Sequence, residues 1–316
     1  MTPSPSIAVL GLGLIGGSLL RRLADRDAVG YDADEATRAA AQAAGLQVAG
    51  SVAEAVADRD LIVVAVPLPA VGDLLADVDG SAGPRALLTD VVSVMAPVQA
   101  LAAERIPRLR LVAGHPMAGT ERSGFAASDP RLFDGAAWPL ALEHDTDVAG
   151  WLAVADLVTA IGARVVPCTA AGHDAAVALV SHLPHVLAAS LAAAAAGDPL
   201  ARTLAAGSFR DATRVAATRP ELTAAMSEAN SGALLAALDD ARHRITDAAA
   251  RLVDGRGLTE FFTTAYEMRS RWPDRSAVDI EIDPGADNLR ARLLELGGAG
   301  GYVVAVDDVL RCRRPG

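Results

Sequence analysis

The stretch "IAVLGLGLIGGSLLRRLAD" (residues 7–25) decides the fold. Four apolar residues, 7–10, read as a buried strand. "GLGLIG" (11–16) then fits G-x-G-x-x-G, and residues 15–25 read as a helix. A glycine motif that leaves a strand and opens a helix is the context a dinucleotide requires. Gly11 permits the tight turn, Gly13 lets the backbone approach a pyrophosphate, and Gly16 lets helix and strand pack closely. The amides near Leu14 and Ile15 face the phosphates at the positive end of the helix. The next strand, 28–32, ends in Asp32, an acid placed to accept from a ribose 2′-hydroxyl and to repel a 2′-phosphate. Asp34 and Glu35 add negative charge, and the nearest arginine is Arg38, so the expected cofactor is NAD rather than NADP. Asp34 is the better candidate for capping the helix at 34–45.

Working outward, apolar runs at 61–66, 86–91, 110–115, 138–143 and 163–167 alternate with alanine-rich amphipathic runs. That alternation predicts one parallel sheet with helices on both faces. From about residue 170 to 275 the chain is rich in strong helix formers and poor in β-branched residues, which predicts an all-helical second domain. Its apolar content exceeds what a lone bundle buries, and a homodimer interface is the natural place for the excess. The tail beyond 277 reads strand, helix, strand and is too small to stand alone. The expected organisation is a Rossmann-type α/β nucleotide-binding domain at 1–168, an all-α substrate and dimerisation domain at 169–276, and a C-terminal extension at 277–316.

Composition narrows the function. The net charge of −11, with arginine as every one of the 28 cationic residues, argues against nucleic-acid binding, which needs a basic footprint. Arginine suits planar recognition of carboxylates or phosphates. The apolar runs read as interrupted before the roughly 20 residues that cross a bilayer, so no membrane partner is expected. "MTPSPS" lacks the basic and apolar regions of a signal peptide, and two cysteines form no disulfide framework and no metal spacing. A cytoplasmic setting and no metal are expected.

The chemistry falls at the carboxyl ends of the strands, where open α/β sheets bind ligands. "AVPLP" (65–69) puts Val66 and Pro67 there, either lining the cofactor groove or packing the loop. "TDVVSVM" (89–95) brings Ser93 to the same edge, as a hydroxyl in the crevice or a cap on the following helix. "GHPMAGTERSG" (114–124) is too punctuated by glycine and proline to be regular, and its His115 falls where a proton acceptor would meet the nicotinamide. "SHLPH" (181–185) sets His182 and His185 one helical turn apart around Pro184, which should kink the helix. Those histidines fit substrate hydrogen bonding or core packing, and lack a carboxylate or cysteine to complete a metal site. "GSFRDATRVAATRP" (207–220) places Arg210 and Arg214 on one helical face with Asp211 between them. This is either a carboxylate-binding cluster or a solvated, ion-paired face.

Taken in order, "GLGLIG", "GYD", "TDVVSVM", "GHPMAGTERSG", "SHLPH" and "GSFRDATRVA" resemble the prephenate dehydrogenases, the family that includes arogenate and cyclohexadienyl dehydrogenases of tyrosine biosynthesis. The resemblance covers about residues 7–275. It implies a nucleotide-binding domain, a helical dimerisation domain, and NAD-dependent oxidative decarboxylation of prephenate to 4-hydroxyphenylpyruvate. It further implies that His115 is the catalytic histidine and that Ser93 bonds the ring hydroxyl. Arg214 would bind a substrate carboxylate, with His185 and His182 in the substrate pocket, Asp211 as a supporting acid and Glu121 at the entrance. The family often carries "GSVK" where this chain has "VSVM", so Val92 and Met95 replace a glycine and a lysine. Three rivals remain: arogenate as substrate; a β-hydroxyacid dehydrogenase, whose usual catalytic lysine this chain lacks; and a non-catalytic NAD-binding regulator, in which His115 would be dispensable.

Overall fold

The computed structural model describes residues 5–120, 122–272 and 276–316. Its first sheet is built by β1 (Ile7–Leu10), β2 (Ala28–Tyr31), β3 (Leu61–Val64), β4 (Leu87–Asp90) and β5 (Arg110–Val112). The order is β2-β1-β3-β4-β5, all parallel. β1 and β3 are buried along their whole length, which is why they read as unbroken apolar runs rather than as alternating ones. The crossovers are α1 (Leu14–Arg22), α2 (Glu35–Ala43), α3 (Val52–Val56), α4 (Leu68–Asp79) and α5 (Ala96–Arg105). Asp34 caps α2 by accepting from the Thr37 amide at 3.0 Å. The Thr37 hydroxyl is the larger cause, and its backbone amide the second, that hold the Asp34 carboxyl below its ordinary value.

β6 (Ala137–Ala141), α6 (Val148–Ala160) and β7 (Arg164–Cys168) follow. β6 and β7 pair in parallel, yet they do not extend the first sheet as the alternation predicts. They open a second, mixed sheet, which the loop after β5 meets through an isolated antiparallel bridge between Gly114 and Leu140 and backbone bonds to β6. The physical reason is that strand patterning records burial, not partner: Trp138, Leu140 and Val165 are buried, and their apolar character does not say which sheet buries them.

The chain then runs helically through α7 (Ala170–Val177), a π turn (Ala178–His182) and α8 (Leu183–Ala196). Pro184 lies in the first turn of α8, and the widened turn just before it accommodates the missing N–H and the ring. By length and composition alone, the run Ala170–Ala196 is long and apolar enough to cross a bilayer. This corrects the expectation that every apolar run stops short of that length, because alanine carries apolar character across the histidines. The helical part continues with α9 (Pro199–Leu204), α10 (Gly207–Thr213), a 3-10 turn (Arg214–Ala217), α11 (Pro220–Ala229), α12 (Ser231–Val253) and α13 (Thr259–Arg271).

The tail holds β8 (Ala277–Ile282), α14 (Leu289–Gly298), β9 (Tyr302–Val306) and β10 (Leu310–Pro315). These strands complete the second sheet in the order β6-β7-β9-β10-β8. α14 packs so closely on β7 that a Cβ at Gly297 would fall 1.7 Å from the Pro167 carbonyl oxygen. Leu289, Leu293, Leu296, Val303 and Leu310 share one core with Trp138, Trp151 and Val165. Residue contacts divide the chain into Met1–His173 with Ala277–Gly316, and Asp174–Ser276. The tail, read from sequence as a separate extension, is thus part of the first unit.

Candidate active site

The turn after β1 has the shape a dinucleotide needs. Gly11 has φ +98°, and a Cβ there would sit 2.6 Å from the Ala65 carbonyl oxygen. A Cβ at Gly16 would fall 1.9 Å from the Gly11 carbonyl oxygen, so α1 crosses the turn at a distance only glycine allows. Above Gly13 there is open space within 4 Å of where a Cβ would stand. α1 begins at Leu14 with no side-chain cap and no acid in its first turn, which leaves its positive end for an anion near Leu14 and Ile15. Asp32 braces this turn: its Oδ2 accepts from the Leu12 amide at 2.7 Å and its Oδ1 from the Asp34 amide at 2.9 Å. Arg38 donates to the Asp32 and Ala33 carbonyl oxygens at 2.7 and 3.1 Å rather than to the carboxylate. Val66 is half-buried and Pro67 exposed at the end of β3, the latter as N-cap of α4. These residues fit a bound NAD.

At the end of β4, Asp90 is fully buried. Its Oδ1 accepts from the Val92 amide at 2.9 Å and its Oδ2 from the Gly114 amide at 3.3 Å. One carboxylate therefore holds both the loop that carries Ser93 and the loop that carries His115. Ser93 is half-buried and does not cap the next helix: α5 has Met95 as N-cap, without a side-chain cap bond. Val92 and Met95, the departures from the family pattern, are buried. They make this loop part of the core.

His115 is half-buried. Its amide donates to the Pro139 carbonyl at 3.1 Å, and the Met117 amide donates to that of Ala137 at 2.8 Å, so β6 fixes the loop's first residues. The far end of the loop docks on α1. Phe125 lies 4.5 Å beneath the Arg21 guanidinium, Arg21 Nε donates to Ser128 Oγ at 2.7 Å, and the Asp129 amide donates to Ser18 Oγ at 2.9 Å. The histidine loop is thus tied to the same helix that opens at the glycine turn. Glu121 lies outside the described residues.

Sequence reasoning misses one partner of this loop. His115 Nδ1 lies 3.0 Å from Nε2 of His173, a buried residue in the first turn of α7. The available signal was a histidine a few residues after a strand, in "TAAGHD" (169–174), as His115 and His144 also are.

In the helical unit, His182 is buried and its Nδ1 lies 3.2 Å from Asn230 Nδ2, which also donates to the Asp174 carbonyl at 2.7 Å. That places one face of His182 in the core, as the packing alternative has it. His185 is half-buried. Arg210 and Asp211 lie on α10, whereas Arg214 begins the 3-10 turn, so the arginines do not share one continuous helix. Within this unit Arg210, Asp211 and Arg214 are exposed.

Residues 15–167 match the family model for the nucleotide-binding domain of prephenate dehydrogenase, and residues 169–264 the model for its dimerization domain. The cyclohexadienyl dehydrogenase of Zymomonas mobilis is 35% identical over 286 residues, covering 85% of this chain and 96% of that protein. A solved structure from Corynebacterium glutamicum, assigned as a prephenate dehydrogenase, is 38% identical with a TM-score of 0.86, covering 95% and 98% of the two chains. The arogenate dehydrogenase of Synechocystis is 29% identical with a TM-score of 0.77, covering 84% and 99%.

Proposed function

Because the chain belongs to the prephenate dehydrogenase family, we propose that it oxidatively decarboxylates prephenate to 4-hydroxyphenylpyruvate with NAD, as a step of tyrosine biosynthesis in the cytoplasm. The observation that carries this reading is the Asp90 carboxylate, which ties the Ser93 and His115 loops together at the carboxyl edge of a dinucleotide-type sheet.

NAD, when bound, supplies the hydride acceptor. Gly11, Gly13, Gly16 and the amides of Leu14 and Ile15 hold its pyrophosphate, Asp32 holds the adenine ribose, and Val66 with Pro67 lines the groove. Ser93 bonds the ring hydroxyl of the substrate. His115, neutral at the start, takes that hydroxyl's proton as the ring carbon loses hydride. Loss of the ring carboxylate as carbon dioxide then makes the ring aromatic. Arg214 holds a substrate carboxylate, supported by Asp211, and His185 with His182 shapes the pocket. The helical unit pairs with a second copy. Leu200, Leu204, Val253 and Tyr266, each at least 65% exposed within one chain, support that pairing.

The second reading is arogenate, which carries an amino group where prephenate carries an oxo group. It is favoured by the 29% identity to the arogenate dehydrogenase of Synechocystis. The test is the growth of reduced-nicotinamide absorbance with NAD and each substrate in turn. Turnover of prephenate above arogenate is expected. The opposite preference selects the second reading, and turnover of neither overturns both.

A further inference from the structure

The contact between His115 and His173 asks for an explanation that the base role of His115 does not itself give. The rings meet edge to face, with centroids 5.2 Å apart and planes at 84°, and Nδ1 of His115 lies 3.0 Å from Nε2 of His173. Both residues are held in place. The backbone of His115 is bonded to β6 through Pro139. His173 sits in the first turn of α7, and its own amide donates to the Thr169 carbonyl at 2.9 Å. The start of α7 is itself fixed from the end of β6: Glu143 Oε1 accepts from the Ala170 amide at 2.6 Å, and the Leu142 amide donates to the Cys168 carbonyl at 2.7 Å. Both rings are therefore anchored to β6 and the residues just after it, His115 at Pro139 and the start of α7 at Leu142 and Glu143.

A hydrogen bond between two neutral imidazoles needs one donor and one acceptor, so it also fixes the tautomer of each ring. A histidine side chain free in water favours the proton on Nε2. In that tautomer His115 would offer Nδ1 to His173 and hold its proton on the opposite ring edge, where it could accept nothing from a substrate. With His115 donating from Nδ1, Nε2 is left with its lone pair. Only this second arrangement survives the reaction: once Nε2 has gained a proton both ring nitrogens donate, and the bond to His173 persists and becomes charge-assisted.

We propose that His173 is a positioning residue that accepts from His115 Nδ1–H and holds His115 in the tautomer whose Nε2 can take the substrate hydroxyl's proton. This rests on the reading of His115 as the base. The proton moves from the substrate oxygen to His115 Nε2, and His173 neither gains nor loses one.

Two measurements test it. Long-range nitrogen–proton NMR on the full chain labelled at histidine reads the tautomer directly. The expected spectrum has His115 protonated at Nδ1 and bare at Nε2, and a wild-type His115 protonated at Nε2 overturns the proposal without any variant. Kinetics supply the second. His173→Leu should lower kcat about ten- to a hundredfold, the range for losing a hydrogen bond to a charged group, with substrate KM and NAD affinity little changed. His173→Gln, whose amide oxygen accepts near the position of Nε2, should recover most of that loss. A leucine variant within twofold of wild type, or a loss in KM instead of kcat, sinks the idea, as does a glutamine variant no better than leucine. Failure of the base reading looks different: His115→Asn would then leave turnover intact while the tautomer still reports the pairing.

Discussion

The Leu12 amide donates to Asp32 Oδ2 at 2.7 Å, so the acid just after β2 is tied to the glycine turn that follows β1. The carboxylate proposed to discriminate the cofactor is the same one that braces the glycine turn. Asp32→Ala should therefore do two things at once. NAD affinity should fall about tenfold, from the lost ribose bond and the loosened turn. The preference for NAD over NADP should narrow, because the charge that repels a 2′-phosphate is gone and Arg38 lies beside it. Cofactor titration by nucleotide fluorescence checks both; an unchanged NAD to NADP ratio would remove Asp32 from the discriminating role.

Replacing His115 with Asn keeps a polar side chain in the loop and removes the proton acceptor. Turnover should drop by about 10²- to 10⁴-fold, the usual contribution of a positioned general base. NAD binding should stay near wild type, because the glycine turn and Asp32 are untouched. Steady-state kinetics alongside cofactor titration separate the two effects, and equal losses in both would point to a collapsed loop instead.

Much of this site is legible in the chain because its parts are local. The 7–25 stretch carries strand, turn and helix within one crossover, and Gly11 and Gly16 are demanded by contacts with near neighbours. The sheet membership of β6 and β7 is not legible, because an apolar run records that a strand is buried and not which strands it pairs with. Nor is the tail's place, since β9 and α14 meet β7 across more than a hundred residues of helical chain. His173 is hidden for a similar reason: it meets His115 across 58 positions, and nothing in "AAGHD" by itself announces a partner.

Arg214 opens the 3-10 turn that follows α10 and is exposed within its unit, as a side chain reaching for a substrate carboxylate would be. Arg214→Ala should raise the substrate KM about ten- to a hundredfold, since charge-assisted bonds to a carboxylate are worth about 1.5–3 kcal/mol. NAD affinity should not move. Initial-rate kinetics decide the matter, and an unchanged KM counts against the role.

Leu293 on α14 is fully buried in the core shared with Trp151 and Val165. If the tail is structurally part of the first unit, Leu293→Ala should cost about 2–5 kcal/mol. Thermal unfolding followed by near-ultraviolet dichroism, which reports Trp138 and Trp151, should then shift down by about 5–15 °C. A tail that unfolds on its own, with the tryptophan signal unmoved, would show that its core is separate.

Cys312 on β10 is 1% exposed, and burial pushes its thiol from an ordinary 9.0 up to about 11. The nearby Arg292 opposes the shift and only partly offsets it. The thiolate is the reactive form, so alkylation of Cys312 in the folded protein should be slow at neutral pH and should accelerate only on unfolding. The same shift has a consequence for stability. Between about pH 9 and pH 11 the folded chain holds a proton that the unfolded chain has released, so folding is favoured below that window and weakens as pH rises through it. Cys312→Ala should flatten this alkaline loss while leaving a small cavity on the β10 face of the sheet. Denaturant midpoints of both proteins across the window give the comparison. Parallel curves for wild type and variant would mean that some other group carries the alkaline transition.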